Sequence, residues 1–146
     1  MLAHPRCPCT RASINELAQL LAQIHEEVNT YVLFLKPEQR PDWGETDLQR
    51  AAAAIPGVTV LSDRDGAEAQ LFGAETSGHT MLFDAKGRLL FSGGITASRG
   101  HAGSNPGENA IVSLINGQSA ERSTTLVFGC SLSGRKQQGT QRLCRQ

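Results

Sequence analysis

Two cysteines separated by one proline, Cys7-Pro8-Cys9, stand directly before an amphipathic helical pattern. Ile14, Leu17, Leu20, Leu21 and Ile24 follow i, i+3, i+4 spacing, which predicts a helix from about Thr10 to about Glu27. Thr10 or Ser13 is the expected cap, and Ser13 with Glu16 has capping-box spacing. The thiols are thereby placed at or just before a helix N-terminus. There the unpaired backbone N–H groups and the helix dipole favour a thiolate. Arg6 and Arg11 flank the pair, and no carboxylate precedes Glu16, so charge is expected to act in the same direction. Since the thiolate is the reactive form of cysteine, the pattern reads as a redox dithiol. Two close cysteines can also be half of a zinc site or simply buried side chains. Zinc usually calls for a second Cys or His pair at similar spacing, and Cys130 and Cys144 stand singly.

A chain of 146 residues, 39% apolar and 19% charged, is long and apolar enough for one globular domain with a real core. Lys plus Arg equals Asp plus Glu at 14 each, so no overall field draws in nucleic acid or an anionic membrane. The balance is uneven, however. After Glu121 every charge is basic: Arg122, Arg135, Lys136, Arg142 and Arg145. The expected division is a domain over 1–118 and a basic extension over 119–146, disordered after 131. No apolar run approaches the ~20 residues of a membrane span, and no signal peptide is visible. Only Met1-Leu2-Ala3 precedes the cysteine stretch, so the strand carrying it is expected to be a stub, unless the true start lies upstream with an anchor or signal.

Thr30-Tyr31-Val32-Leu33-Phe34-Leu35 reads as a buried parallel strand ended by Lys36-Pro37. A polar loop over 37–44 carries Trp43, expected to cover the core. Thr46 caps a second helix through Ala54, which Pro56-Gly57 stops. Val58-Thr59-Val60-Leu61 is a short strand, and Asp63 or Asp65 starts a short helix ending at Gly73. Residues His79 to Asp84 and Arg88 to Gly93 form a hairpin around Ala85-Lys86-Gly87. The glycine-rich loop from Gly94 to Gly107 lacks a phosphate-cradle pattern. Asn105 then caps a helix with Pro106 first and Glu108 third, ended by Asn116-Gly117. An apolar segment, Thr124 to Cys130, precedes the tail.

Alternating strands and helices followed by a hairpin and a helix imply an α/β fold, a mixed and mostly parallel sheet with helices on both faces. With a dithiol between the first strand and helix, residues 1 to about 118 resemble the thioredoxin fold, a three-layer arrangement, here with its first strand truncated. More narrowly, the run His4 to Arg11, the hairpin Leu82 to Phe91, and Gly93-Gly94-Ile95-Thr96 with Ser98-Arg99-Gly100-His101 resemble the bacterial RedB-like proteins. Those are related to the periplasmic or membrane-tethered TlpA and ResA group, which Val127-Phe128-Gly129-Cys130 also suits. The resemblance implies a thiol–disulfide oxidoreductase that exchanges with protein thiols or disulfides, without a bound cofactor, in the periplasm or on its membrane; a monomer is expected.

The pattern departs from that family in two places. The family carries C-x-x-C, whereas aligning Cys9 with its second cysteine puts Arg6 at the usual nucleophile and leaves Cys7 to attack. A disulfide across one residue closes a smaller, more strained ring, so a Cys7–Cys9 pair is expected to oxidise or isomerise other thiols readily. The family's cis-proline before the hairpin is replaced by Ser77-Gly78-His79-Thr80. The resulting site is Cys7 and Cys9, with Cys130 as a further resolving or storage thiol and Arg6, Pro8, Thr10, Arg11 and Thr80 in support. The alternative is a metallochaperone-like protein in which His4, Cys7, Cys9, His79 and His101 supply ligands for Cu(I), a soft ion suited to thiolates.

Overall fold

The computed structural model describes residues 1–133. The elements are β1 (Leu2–Ala3), α1 (Pro8–Gln23), β2 (Thr30–Lys36), α2 (Asp47–Ala53), β3 (Val58–Arg64), α3 (Ala67–Leu71), β4 (Thr80–Phe83), β5 (Leu89–Gly93) and α4 (Pro106–Ile115). They form a mixed α/β fold. Strands β1, β2 and β3 pair in parallel in that order, and β4 and β5 form an antiparallel hairpin. Leu2 joins the two. It pairs with Leu33 on one side and forms an antiparallel bridge to His79 on the other. Leu2 N donates to His79 O at 2.8 Å, and Gly78 N donates to Leu2 O at 2.8 Å. The stub therefore links the three-stranded sheet, ordered β1-β2-β3, to the residue that leads into the β4-β5 hairpin.

The period of two along β2 divides the interior. Val32 and Phe34 face a core built with Ile14, Leu17 and Leu20 of α1, Leu48 and Ala52 of α2, and Ile111 of α4. Leu33 and Leu35 face a smaller cluster of Leu2, Ala69, Ala74 and Leu132. Three helices thus cover one face, while α3 and a stretch of the C-terminal segment cover the other. Burying a side chain such as Phe34, fully enclosed, contributes about 2–3 kcal/mol.

Several boundaries differ from the sequence-based reading. Helix α1 begins at Pro8 and ends at Gln23, so Cys7 is the N-cap residue, in extended conformation. Proline's fixed φ suits the first helical position, which pulls the start two residues ahead of Thr10. Glu16 makes no capping box. It is fully buried and accepts from Gly103 N at 2.8 Å and Asn105 Nδ2 at 3.3 Å. Asn105 also donates to Ile95 O and caps α4 by accepting from Glu108 N at 2.9 Å. This buried polar knot ties the glycine-rich loop to α1 and α4. Strand β3 continues to Arg64 because its whole length pairs with β2, through Lys36. Helix α3 starts later than expected, with Gly66 as its N-cap residue, and Asp63 reaches it from β3 by accepting from Glu68 N and Ala69 N. Thr46 caps α2 in a complete capping box with Gln49.

Residues 119–133 form no helix or strand but lie against the sheet. Ser92 bridges Thr124 in parallel, and Thr76 bridges Ser131 antiparallel. Thr125 Oγ1 donates to Gly94 O at 2.7 Å, and Leu132 is buried in the smaller cluster. The disorder expected after 131 falls almost wholly outside the described residues, as does Cys144. Among the described residues no helix is long and apolar enough to cross a membrane. A hollow of about 870 Å³ lies around Met1, Tyr31 and Phe83, at the end of the sheet away from the cysteines.

Candidate functional site

The thiols sit where β1 leaves the sheet and α1 begins, at the carboxyl end of the parallel strands. Cys7 is fully buried, Cys9 is buried as the second residue of α1, and Cys130 is partly exposed. No disulfide joins these three described cysteines. The group beside Cys7 is Cys130, 123 residues away in the chain. Cys130 N donates to Cys7 Sγ at 3.3 Å.

These contacts pull the Cys7 pKa from an ordinary 9.0 to about 5. The largest cause is the hydrogen bond from the Cys130 thiol. Burial opposes it, and hydrogen bonds from the Thr10 hydroxyl, the Cys130 backbone N–H and the Thr10 backbone N–H add to the lowering. Short-range donors from the C-terminal segment and the helix start together stabilise the charged sulfur more than desolvation penalises it. The expected help from arginine is not the cause. Arg6 turns away, its Nη2 3.2 Å from Asp42 O and its guanidinium 5.3 Å from the Trp43 ring centroid. Arg11 is exposed on α1. Pro8 acts by placing the helix start.

His4 stacks edge-on against Trp43 at 5.0 Å, and its Nδ1 accepts from Arg6 N at 3.1 Å. Burial lowers its pKa, the neighbouring Cys7 thiolate opposes this, and Arg6 adds to the lowering. The imidazole beside Cys7 is therefore neutral at neutral pH. Trp43 packs on the smaller core cluster, as a covering aromatic should.

Ser77, which sequence reasoning passed over, organises the floor of the site. It is buried, accepts from His4 N at 2.8 Å, and shares a 2.7 Å hydrogen bond with Thr10 Oγ1. It also donates from its backbone N to Cys130 O at 2.8 Å. One residue thus ties the exit of β1, the first turn of α1 and the C-terminal segment together. The available signal was its position, where the resemblance had led to a cis-proline. All described peptide bonds are trans.

Three other expected site residues lie elsewhere. Thr80 donates to Gly78 O at 3.2 Å and pairs with Gly93, so it serves strand β4. His79 directs Nε2 to Ser92 Oγ at 2.8 Å, on the hairpin, because the alternation of an extended chain turns it away from the site. His101 is exposed in the glycine-rich loop beside Arg99 O. Among the described residues no three His, Cys, Asp or Glu side chains are placed to hold a metal ion. The five donors expected for Cu(I) are not gathered, since His79 and His101 make their contacts away from the thiols.

A shallow cavity of about 430 Å³ opens beside Cys7. Pro5, Pro8, Arg6 and Arg11 share its rim with the Asp47 carboxylate.

No protein-family model matches the sequence, and no curated protein matches it. Among solved structures, the chain is similar to a hypothetical protein, SMc02350, from Sinorhizobium meliloti 1021, with TM-score 0.64 and 19% identity over 90% of this chain and 75% of that one. It is also similar to an uncharacterized conserved protein from Geobacillus kaustophilus, with TM-score 0.71 and 18% identity over 91% and 74%. At such identities the likeness is one of fold.

Proposed function

We propose that the protein is a thioredoxin-like thiol–disulfide oxidoreductase whose attacking group is the Cys7 thiolate. The observation that carries this is the Cys7 sulfur at the start of α1, receiving hydrogen bonds from Thr10 and Cys130 that bring its pKa to about 5. At pH 7 such a thiol is about 99% ionised, against about 1% for one with a pKa of 9.0. Strand order supports the thioredoxin-like reading, since a central strand leads to the thiol and an antiparallel hairpin flanks it.

In the reaction, Cys7 Sγ attacks one sulfur of a partner disulfide and the second sulfur leaves as thiolate. The product is a mixed disulfide, with charge conserved across the exchange. A partner protein would enter over the rim of Pro5, Arg6, Pro8 and Arg11. The RedB-like kinship, a periplasmic or membrane-tethered setting and a monomeric state belong to the same proposal. It rests for these on the sequence stretches given above.

The test is exchange of the reduced protein with an aromatic disulfide whose released thiolate absorbs light. At pH 6 ordinary thiols are less than about 1% ionised, so reaction there isolates a low-pKa sulfur. The wild type gives a fast phase of thiolate release, and Cys7→Ser lacks it. A fast phase surviving in folded Cys7→Ser removes the proposal.

A further inference from the structure

We propose that Cys130 is the resolving thiol, so that the redox pair is Cys7–Cys130 and not Cys7–Cys9. This rests on thiol–disulfide exchange at Cys7 and names the group that completes it.

Ring size argues against the neighbouring pair. Cys7 is the extended N-cap residue and Cys9 the second residue of α1. A disulfide across a single intervening residue closes a short, strained ring, which disfavours a Cys7–Cys9 bond. A resolving sulfur has to reach Cys7 Sγ within the folded chain. Cys130 lies there: its backbone N is 3.3 Å from Cys7 Sγ, and the residue is partly exposed.

The segment carrying Cys130 is built to lie there. Ser77 N donates to Cys130 O at 2.8 Å, and Leu132 N donates to Glu75 O at 2.8 Å. Leu132 anchors the far side in the smaller core cluster. Gly129 lets the chain cross Ser77, since a Cβ there would fall well inside 3.0 Å of Ser77 O. Gly94 gives similar room to the backbone at Leu126. Two glycines, a buried leucine and paired backbone therefore hold Cys130 against the Cys7 sulfur.

Chemically, Cys7 first forms the mixed disulfide and expels one partner thiolate. The Cys130 thiol then loses its proton to solvent or to the leaving sulfur, and its sulfur attacks Cys7 Sγ. The Cys7–partner bond breaks, the Cys7–Cys130 bond forms, and the second partner sulfur leaves as thiolate. Two electrons pass from the protein dithiol to the partner disulfide. A dithiol reductant restores the starting state, and the same steps in reverse oxidise a partner dithiol.

The experiment treats the reduced full chain with oxidised glutathione and maps disulfides by peptide mass. The expected product in the wild type and in Cys9→Ser is Cys7–Cys130. In Cys130→Ser the Cys7–glutathione adduct should accumulate, with release of the second glutathione slowed at least tenfold. A Cys7–Cys9 product in the wild type, or adduct accumulating in Cys9→Ser but not in Cys130→Ser, overturns the inference while leaving exchange at Cys7 intact. Absence of any Cys7 adduct in Cys130→Ser, with the fold intact, overturns both.

Discussion

Gly129→Ala should raise the Cys7 pKa without touching a sulfur. The added Cβ would fall well inside 3.0 Å of Ser77 O, a backbone atom with nowhere to rotate. Ser77 is held by His4 and Thr10, so the C-terminal segment is the part that yields. A displacement of about 1 Å lengthens the 3.3 Å contact from Cys130 N to Cys7 Sγ beyond hydrogen-bond range. A hydrogen bond to a charged group contributes about 1.5–3 kcal/mol, and one pH unit corresponds to about 1.4 kcal/mol. The midpoint should therefore move from about 5 to about 6 or 7. The assay is thiolate ultraviolet absorbance against pH, with Cys7→Ser subtracted to isolate this sulfur. Circular dichroism confirms that the variant is folded. A folded Gly129→Ala protein with an unmoved midpoint would refute the reasoning that the C-terminal segment ionises Cys7.

Further predictions follow from the same contacts. Arg6→Ala should leave the Cys7 midpoint within a few tenths of a pH unit, because the guanidinium engages Asp42 and Trp43; a rise of a full unit would restore the arginine explanation. Asn105→Ala removes the α4 cap and leaves the buried Glu16 short of a donor, and should cost about 2–3 kcal/mol in urea denaturation. Stability should also depend on pH through Cys7. Between about 5 and 9.0 the unfolded chain holds the Cys7 proton that the folded chain has lost, so raising the pH favours folding. This stabilisation is complete above 9.0 and lost as pH falls through about 5. Wild type minus Cys7→Ser stability should therefore rise across that window, and a flat difference would contradict the assigned midpoint.

Local chemistry was legible in the sequence. The Asn105-Pro106 start of α4, the Thr46 cap of α2, and the Ala85-Lys86-Gly87 turn each depend on a few adjacent residues, and the structure has them. So was the placement of Cys7 at a helix start. What escaped depends on contacts far apart in the chain. Nothing near Glu16 indicates that its carboxylate meets Gly103 and Asn105, so capping-box spacing misled. Arg6 beside Cys7 suggested a charge effect, but side-chain direction is set by Asp42 and Trp43, 36 and more residues away. His79 adjoins the site in sequence order, yet strand alternation sends its ring to Ser92. Cys130 was visible as a cysteine after a glycine, but only the folded chain puts it against Cys7.

The central claim is tested most directly by the rate of exchange between the reduced protein and a small aromatic disulfide, followed from pH 4 to pH 9 on the fast phase that Cys7→Ser lacks. An ionised Cys7 predicts a rate half-maximal near pH 5 and level from about pH 6 upward. A rate still climbing tenfold per pH unit through pH 8 would mean an ordinary thiol, and would contradict the account.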